Sequence, residues 1–288
     1  MSTLQDAEVA NLEETAERIR ESIVTMLETA GSGHTAGPLG MTDIFTALYF
    51  KVLKHNPKNP EWEHRDRLIL SNGHIAPVLY ATLAHAGYFK VEELLTLRKF
   101  GSRLQGHPHR ITCPGIDTSS GPLGEGLSQA VGMAWVDRLD NHKPERYFYC
   151  LMGDGELNEG QIWESLFLLG REKLHKLICI IDRNNIQIDG MTEFVLPLEP
   201  LRAKFESFNM HVIDVNGHDF RDIVSAIELA KTVVERPTVI IAHTIPGKGV
   251  PEIEGDFHWH GKAPNHEEAQ MMLRDLRTMK GKLTHTID

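Results

Sequence analysis

Short apolar runs alternate with longer amphipathic segments along the chain. The apolar runs are nearly continuous, as is typical of strands that are buried on both faces of a parallel sheet. The longer segments have apolar residues at helical spacing. Strands that alternate with helices predict an α/β fold, in which a parallel sheet is flanked by helices on both faces. The predicted strands cover residues 67–70, 146–152, 176–182, 211–215 and 237–243, and the predicted helices cover residues 7–30, 42–53, 75–86, 91–100, 124–139, 159–170, 219–234 and 267–279.

The sequence shows no sign of a division into domains. It has no internal repeat, no low-complexity segment and no linker rich in serine and glycine. The length of 288 residues lies near the upper limit for one hydrophobic core. Asp219 is placed to cap the helix at residues 219–234. We predict a single domain over residues 1–288, with a loop-rich part at residues 245–265.

Composition and charge exclude several classes of protein. The formal net charge is −10 and the charges are spread along the chain, so we expect no surface that binds nucleic acid or an anionic membrane. No apolar stretch approaches the roughly 18 residues that span a bilayer, and the acidic N-terminal segment does not fit a secretory signal. Cys113, Cys150 and Cys179 are widely spaced, which argues against a disulfide framework or a cysteine zinc site. We expect a cytoplasmic enzyme in which Cys150 and Cys179 are core residues.

Four segments rich in glycine and histidine have the pattern of neither a helix nor a strand. Loops of this length in a compact domain are usually functional or disordered, and glycine lets the backbone approach a ligand closely. One of the four follows a predicted strand directly, at the position where open α/β sheets bind their ligands. The segments are residues 31–40 (GSGHTAGPLG), 70–74 (LSNGH), 105–126 (QGHPHRITCPGIDTSSGPLGEG) and 245–264 (IPGKGVPEIEGDFHWHGKAP).

An acidic turn follows the strand at residues 146–152. Asp154 lies between Gly153 and Gly155 and directly before a predicted helix, a position suited to a hard cation and its phosphate ligand. Asn184 follows the next strand, one strand–helix–strand unit further along the chain. Alone, the Gly-Asp-Gly sequence favours a tight turn. The spaced pair favours a Mg²⁺ site, in which a backbone carbonyl, two phosphate oxygens and a water would complete the octahedron.

Two common nucleotide-binding motifs do not fit these loops. Residues 124–129 (GEGLSQ) lack the third glycine of a dinucleotide-binding turn and do not follow a clear strand. Residues 255–263 have one intervening residue too many for a P-loop and no serine or threonine for the metal.

Seven motifs resemble those of the transketolase family in their order and spacing. The segment from Gly153-Asp154-Gly155 through Asn184-Asn185 also resembles the thiamine-diphosphate signature. The resemblance runs from about residue 7 to residue 264 and matches the N-terminal, diphosphate-binding part of a full transketolase, without its pyrimidine-binding and C-terminal domains. The chain is therefore similar to the N-terminal subunit of a split transketolase. The motifs are SGHTAGPLG, LSNGH, GHP, SGPLGEG, GDGELNEG, DRNNIQIDG and WHGKAP.

The resemblance implies the thiamine-diphosphate-binding fold and a set of residues that hold the cofactor and its metal ion. The implied metal is Mg²⁺, with Ca²⁺ or Mn²⁺ as substitutes, and its ligands would be Asp154, Asn184 and the carbonyl of Ile186. Gly155 would supply a backbone N–H to the diphosphate, beside Gly153, with Leu123 near the thiazolium and Ile188 near the pyrimidine. His74 and His260 would donate hydrogen bonds to the diphosphate.

The resemblance also implies an activity, the transfer of a two-carbon ketol unit from a ketose phosphate to an aldose phosphate. Cleavage between C2 and C3 of a ketose leaves a carbanion, for which the thiazolium is the electron sink. His34, His107 and His260 match the family's substrate histidines, which bind sugar hydroxyls and move protons. Imidazole suits proton transfer because its ordinary pKa is about 6.5.

A second subunit is implied as well. In this family the acid that protonates the aminopyrimidine and the basic residues that bind the sugar phosphate lie on the domain this chain lacks. We therefore expect the isolated chain to be inactive and to work in an α2β2 complex with a C-terminal subunit that carries the pyrimidine-binding domain. Glu159 and Glu164 match acidic residues near that interface. His109 and Arg110 follow GHP where larger transketolases commonly have an acidic residue, so the preferred sugar stays open.

Three alternatives remain at this point. A related thiamine-diphosphate enzyme, either a 1-deoxy-xylulose-5-phosphate synthase or a transketolase for sulfonated or branched sugars, shares the same motifs. A cofactor-free scaffold subunit would not bind thiamine diphosphate. A hydrolase would need a zinc site built from His34, His74, His107, Asp154 and His260. Of the other histidines, we interpret His85, His142, His175 and His266 as structural or surface residues, and we leave His109 and His258 undecided.

Overall fold

The computed structural model describes residues 4–143 and 145–278 of the chain. A sheet of five parallel strands forms the centre. In chain order the strands are β1 (Arg67–Leu70), β2 (Phe148–Gly153), β3 (Leu177–Arg183), β6 (His211–Asn216) and β7 (Thr238–His243), and a small antiparallel hairpin is formed by β4 (Ile186–Gln187) and β5 (Gly190–Met191). The spatial order of the main sheet is β1-β2-β3-β7-β6.

Helices connect the strands and cover both faces of the sheet. Short 3-10 turns lie at Gly73–Ile75, Val91–Thr96, Gly155–Asn158 and Phe257–Trp259. The α-helices are α1 (Asp6–Ala30), α2 (Ala36–Gly40), α3 (Thr42–Ala47), α4 (Ala76–His85), α5 (Glu125–Leu139), α6 (Gly160–Glu172), α7 (Thr192–Val195), α8 (Leu201–Ser207), α9 (Phe220–Thr232) and α10 (His266–Leu276).

The two faces of the sheet bury two separate apolar cores. Tyr149 and Leu151 of β2 pack in the core that includes α1, α3, α4, α9 and α10. Cys150 and Met152, which alternate with them, pack in the core that includes α5, α6 and α8. This alternation follows from the two-residue period of a strand. The predicted fold class, a parallel sheet flanked by helices on both faces, is confirmed.

The cysteines are core residues. Cys150 and Cys179 are fully buried and pair in register on β2 and β3, and Cys113 is also buried. All three thiols are free. Burial raises the pKa of the Cys179 thiol to about 12, which removes thiolate character at neutral pH. The prediction that Cys150 and Cys179 fill core positions is confirmed.

The predicted strands and most of the predicted helices are found within a few residues of their expected bounds. Asp219 caps α9, since its carboxylate accepts hydrogen bonds from the backbone N–H groups of Arg221 and Asp222. The helix predicted at residues 267–279 is α10; Met279 lies outside the described residues. None of the helices in the described part of the chain is long and apolar enough to cross a membrane.

Three local predictions were wrong. Residues 91–100 form a 3-10 turn that ends at Thr96, because Arg98 has a left-handed backbone (φ 59°) that no helix continues. The helix predicted over residues 42–53 is α only as far as Ala47 and continues as a π-helical turn. The loop at residues 31–40 contains the short helix α2, in which the fixed φ of Pro38 suits the first turn.

The segment at residues 245–265 folds back onto the start of the chain. The Gly247 N–H donates to the Ala36 carbonyl at 2.8 Å, and the Thr35 hydroxyl donates to the Lys262 carbonyl at 2.5 Å. A β-carbon at position 40 would lie 2.9 Å from the Ile245 carbonyl oxygen, so this close approach requires glycine. The packing brings a late segment of the sequence beside the loop after α1.

A buried ion cluster anchors the beginning of this segment. The Asp43 carboxylate pairs with Arg20 at 2.6 Å and with His218 Nδ1 at 2.7 Å. His218 Nε2 accepts a hydrogen bond from the Ile245 N–H at 2.8 Å, so Nδ1 carries the proton that points at Asp43. Burial acts to raise the pKa of Asp43, but Arg20 and His218 lower it to about 2.

Replacement of Asp43 should destabilise the fold. Asp43→Asn leaves the Arg20 guanidinium buried without its counter-charge, and we expect the free energy of unfolding to fall by roughly 3–5 kcal/mol. Because the folded pKa of Asp43 is below its ordinary 3.8, the carboxylate stabilises the fold above pH 3.8 and this contribution is lost as the pH falls through about 2. Urea unfolding at several pH values measures both effects.

Asp6→Asn is the matched control for this experiment. Asp6 pairs with Arg221, but its side chain is fully exposed, so we expect little change in the free energy of unfolding. Equal losses in the two variants would contradict the importance of the buried cluster.

Candidate active site

A cavity of about 400 Å³ lies at the carboxyl edge of the sheet. Every residue that the sequence analysis assigned to the cofactor, the metal or the substrate lines it, namely His34, His74, His107, Leu123, Gly153, Asp154, Gly155, Asn184, Ile186, Ile188 and His260. Five further residues line it that the sequence analysis did not assign, namely Asn72, Gly121, Glu156, Asp182 and Gln187. Loops after β1, β2 and β3 meet here, as expected for an open α/β sheet.

Asp154 lies directly after β2 and is almost completely buried. Its Oδ2 accepts hydrogen bonds from the Arg183 guanidinium at 2.9 Å and from the Asn185 N–H at 2.8 Å. Its Oδ1 accepts from the Gly155 N–H at 2.7 Å. Burial raises the pKa of Asp154, while Arg183 acts in the opposite direction. The Gly155 N–H, which the resemblance assigned to the diphosphate, therefore already has a partner in Asp154.

Asn184 and Ile186 lie beside Asp154 at the end of β3. Asn184 Oδ1 accepts a hydrogen bond from the Ile186 N–H at 3.0 Å, and Asn184 Nδ2 donates to Asp182 at 2.7 Å. Asp154 Oδ1 and Asn184 Oδ1 each accept a single hydrogen bond, so each keeps a lone pair for a further contact. A carboxylate and an amide oxygen are ligands that Mg²⁺ and Ca²⁺ prefer. The donor set fits the hard cation that the resemblance implies.

Asp182 is a second buried carboxylate in the cavity wall. It accepts hydrogen bonds from the Thr244 hydroxyl and from Asn184. Burial raises its pKa to about 7, and the nearby charge of Asp154 adds to this effect. Two carboxylates with raised pKa values in one buried wall are a feature of functional sites.

Three histidine rings form a cluster inside the cavity. The His34 ring centroid lies 4.9 Å from that of His74 and 5.5 Å from that of His260, and the rings of His74 and His260 are 5.1 Å apart. Burial lowers the pKa of all three; for His34 it falls to about 4, with His260 and Arg98 also contributing. At neutral pH the cluster is therefore a set of uncharged imidazoles that can both donate and accept hydrogen bonds.

Three residues that line this cavity have buried polar atoms without partners. His34 Nδ1, His260 Nδ1 and the Asn72 side-chain oxygen are buried and have no hydrogen-bond partner within the described residues. Buried polar groups are normally hydrogen-bonded. Three such atoms around one cavity fit a polar ligand, which is an independent reason to consider it a cofactor or substrate site.

His107 occupies the more open side of the cavity. It lies in the long loop before α5, where a β-carbon on Gly73 would be 3.2 Å from His107 Cδ2. Burial and the charge of Arg98 lower its pKa. His107 is thus held against the turn that contains His74.

The buried carboxylate of Glu156 joins three of the loops around the cavity. It accepts hydrogen bonds from the Ser71 hydroxyl, from the Gly124 N–H at 2.6 Å and from the Gly153 N–H at 3.2 Å. The Ser71 oxygen in turn accepts from the Gly126 N–H at 3.1 Å. The loops after β1 and β2 and the start of α5 are therefore held by one side chain.

The two undecided histidines and the interface candidates lie outside the cavity lining. His109 is near Thr112, and His258 pairs with Asp256 on the surface. Glu159 and Glu164 are exposed, and their role at an interface stays a prediction. The four histidines interpreted as structural or surface residues, His85, His142, His175 and His266, also lie outside the lining. Arg110 lines a separate cavity of about 710 Å³.

The zinc hydrolase alternative is not supported by the geometry. It required the histidines and Asp154 to converge on one metal ion. Among residues 4–143 and 145–278, no three or more His, Cys, Asp or Glu side chains are placed to hold a metal together.

The protonation of His34 can be measured directly. We expect its pKa to be about 4 instead of the ordinary 6.5. The unfolded chain then binds more protons than the folded chain between these values, so the folded state loses stability as the pH falls from 6.5 to about 4. Histidine-selective NMR gives the pKa, and His34→Gln assigns the signal and should remove this part of the pH dependence. A His34 signal that titrates near 6.5 would contradict the prediction.

Removal of the Glu156 charge should loosen the cavity wall. In Glu156→Gln a buried N–H donor faces the amide NH₂ group in place of a carboxylate oxygen, which costs about 1–3 kcal/mol in free energy of unfolding. Urea unfolding measures the loss. Glu125→Gln, at an exposed position in the first turn of α5, is the control and should change little. A Glu156→Gln variant as stable as this control would disprove the anchoring role.

Comparisons with known proteins agree with this site. The family described as "Transketolase, thiamine diphosphate binding domain" matches residues 12–283. The 6-deoxy-6-sulfo-D-fructose transketolase subunit SqwG of Clostridium sp. (strain MSTE9) is 43% identical over 266 residues, with 92% of this chain and 96% of the relative covered. An apulose-4-phosphate transketolase subunit of Phocaeicola vulgatus is 39% identical over 269 residues, with 93% and 95% covered.

A solved structure gives the same result for the fold. Transketolase from Leishmania mexicana superposes with a TM-score of 0.88 at 33% identity, and the match covers 96% of this chain but 42% of that longer chain. The likeness therefore spans nearly all of this sequence and one part of a full-length transketolase. The chain belongs to the transketolase family, as a subunit built on its thiamine-diphosphate-binding domain.

Proposed function

We propose that this chain is the N-terminal subunit of a two-subunit transketolase, in which it binds thiamine diphosphate and Mg²⁺ and transfers a two-carbon ketol unit between sugars. One observation carries the proposal. The residues that the family resemblance assigned to metal, cofactor and substrate, although scattered from His34 to His260, line one cavity. That cavity also contains buried polar atoms without partners in the described chain.

The cofactor would be held through its diphosphate and metal ion. Asp154, Asn184 and the Ile186 carbonyl would bind the cation, and His74 and His260 would donate hydrogen bonds to the diphosphate. When bound, thiamine diphosphate supplies an electron sink for cleavage of the bond between C2 and C3 of a ketose. Leu123 and Ile188 give the cavity apolar surface that excludes water from the reacting carbons.

The histidines would act on the sugar. His34, His107 and His260 line the cavity, and burial lowers the pKa of each. A neutral imidazole can accept a proton from a sugar hydroxyl and return it in a later step. The ring contact between His34 and His260 lets two such groups act on neighbouring hydroxyls of one substrate.

We propose that a second subunit completes the site. Ile188 lines the cavity but is 64% exposed, and Phe194 of the following helix α7 is 89% exposed. Apolar residues exposed beside a cavity are typical of a surface that another protein covers. A C-terminal subunit with a pyrimidine-binding domain would fit here, and two copies of each chain would form the α2β2 complex, with Glu159, just before α6, and Glu164 of α6 near the interface. The single-domain organisation and the cytoplasmic location remain predictions.

The sugars belong to the same class as those in the names of the relatives. One relative is named for 6-deoxy-6-sulfo-D-fructose and another for apulose 4-phosphate. We propose that the substrates of this chain are ketoses and aldoses with an anionic end group, of which the ketose phosphates and aldose phosphates are the first to test.

Cofactor binding and ketol transfer test the proposal together. Thiamine diphosphate with Mg²⁺ is titrated calorimetrically into the chain, alone and with the C-terminal subunit. We expect binding that strengthens with the partner, and transfer from xylulose 5-phosphate to ribose 5-phosphate by the complex only. Asp154→Ala should lower the affinity by about a hundredfold or more, since it removes a metal ligand.

Asp222→Ala is the matched control, because Asp222 is exposed on α9 and does not line the cavity. It should bind the cofactor as the unchanged chain does. Turnover by the isolated chain would overturn the proposal that a second subunit is required. No binding in either condition would favour a scaffold subunit without catalytic function.

A further inference from the structure

The rings of His34 and His260 have no hydrogen bonds of their own to fix their separation. Both Nδ1 atoms are buried, and neither imidazole donates or accepts a hydrogen bond within the described residues. The two ring centroids nevertheless lie 5.5 Å apart, and a β-carbon on Gly261 would lie 3.9 Å from His34 Nε2. The spacing of the rings therefore depends on how the backbone of residues 33–36 is held against that of residues 257–262.

The Thr35 hydroxyl connects these two segments. It donates to the Lys262 carbonyl at 2.5 Å, and Thr35 is fully buried. Thr35 lies directly after His34, and Lys262 lies two residues after His260. One side chain thus ties together the backbones that carry the two rings.

Thr35 stands at a helix N-terminus but does not cap the helix. It is the residue directly before α2, where a threonine hydroxyl commonly accepts a hydrogen bond from a backbone N–H of the first turn, and it makes no such bond. The hydroxyl instead meets a carbonyl 227 residues further along the chain. The local use of this side chain is given up for a contact that reaches the substrate histidines.

The short segment around His260 is held together by its own contacts. The His260 N–H donates to the Phe257 carbonyl at 2.9 Å, at the end of a 3-10 turn. Lys262 Nζ lies 3.8 Å from the centre of the Trp259 ring, a cation–π contact that spans His260. A hydrogen bond to the Lys262 carbonyl therefore positions residues 257–262 together.

We propose that Thr35 is a positioning residue, whose hydroxyl sets the spacing of the His34 and His260 rings at which both reach one substrate. This inference rests on the proposed function, in which these histidines act on neighbouring hydroxyls of a sugar. Thr35 itself lies outside the cavity lining and acts through the backbone that it holds. Reactions between oriented groups are sensitive to displacements of about 1 Å, so loss of this contact should slow the reaction more than it weakens binding.

Histidine-selective NMR of the isolated chain tests the spacing. Thr35→Val removes the hydroxyl at nearly the same shape, and Thr35→Ser keeps a hydroxyl. We expect the nuclear Overhauser contact between the ring protons of His34 and His260 to weaken in Thr35→Val and to persist in Thr35→Ser. The pKa of His34, about 4 in the unchanged chain, should rise toward the ordinary 6.5 in Thr35→Val, because the imidazole is then less shielded from water.

Thr46→Val is the matched control. Thr46 is also fully buried, and its hydroxyl donates to the Thr42 carbonyl at 2.8 Å within α3, outside the cavity lining. This variant loses one buried hydroxyl, as Thr35→Val does, and should leave both histidine signals unchanged. Unchanged signals in Thr35→Val would overturn the proposal. Equal changes in the two valine variants would overturn it as well, since they would trace the effect to a general loss of packing.

Turnover by the complex with the C-terminal subunit, thiamine diphosphate and Mg²⁺ tests the consequence for the reaction. With xylulose 5-phosphate and ribose 5-phosphate, we expect Thr35→Val to lower kcat about tenfold or more and to change KM by about threefold or less. Thr35→Ser and Thr46→Val should keep kcat within about threefold. An unchanged kcat in Thr35→Val would contradict the proposed role.

The pH profile separates this role from a loss of folded protein. The acidic limb of kcat should move to higher pH in Thr35→Val, because an imidazole with a raised pKa is protonated, and lost as a proton acceptor, at higher pH. A lower kcat with an unmoved acidic limb would count against the proposal. Absence of turnover by the unchanged complex would count against the proposed function instead, and the NMR spectra of the isolated chain would still decide whether Thr35 positions the two histidines.

Discussion

The parallel pairing of β2 with β3 is the constraint on which the site depends. Gly153 lies opposite Asp182 in this register, and the ladder continues one step further, where the Asp154 N–H donates to the Asp182 carbonyl at 3.1 Å. The carboxylate of Asp154 then meets the N–H of Asn185 at 2.8 Å. A shift of this pairing by one residue would turn the side chains of the shifted strand to the opposite face of the sheet. Asp154 and Asn185 would then no longer be in contact. The candidate metal ligands are thus placed by the pairing of the sheet rather than by the loops alone.

Buried charged side chains around the candidate metal ligands keep these ligands and the neighbouring loops in position. Arg183 pairs with Asp154, Asp182 orients Asn184, and Glu156 connects three loops. Each of these groups is buried, and a buried charge is tolerated only where hydrogen bonds or a counter-charge compensate for lost water. The polar network therefore orders the cavity wall while the two apolar cores supply most of the stabilising burial. This division agrees with the general need for a supporting shell around a functional site.

The sequence predicted the sheet and the site better than it predicted the loops. Strands buried on both faces have a strong apolar signal, and the ligand positions follow from motifs at strand ends. The 3-10 turn before Arg98 was predicted as a helix because apolar spacing cannot show that a later residue has φ 59°. Asp182 and Glu156 received no role because their importance comes from burial and from partners distant in sequence.

The contact between Thr35 and Lys262 joins positions 227 residues apart in the sequence. Closing so long a loop costs chain entropy that local contacts cannot offset early in folding. During synthesis the sheet strands up to β7 emerge before His260 does, and domains in general fold as their chain becomes available. The cavity consequently stays incomplete until residues 245–265, which carry His260, have docked beside Thr35 and Ala36. The lining thus joins segments from distant parts of the sequence, and whatever loosens the contact between Thr35 and Lys262 opens the cavity as well.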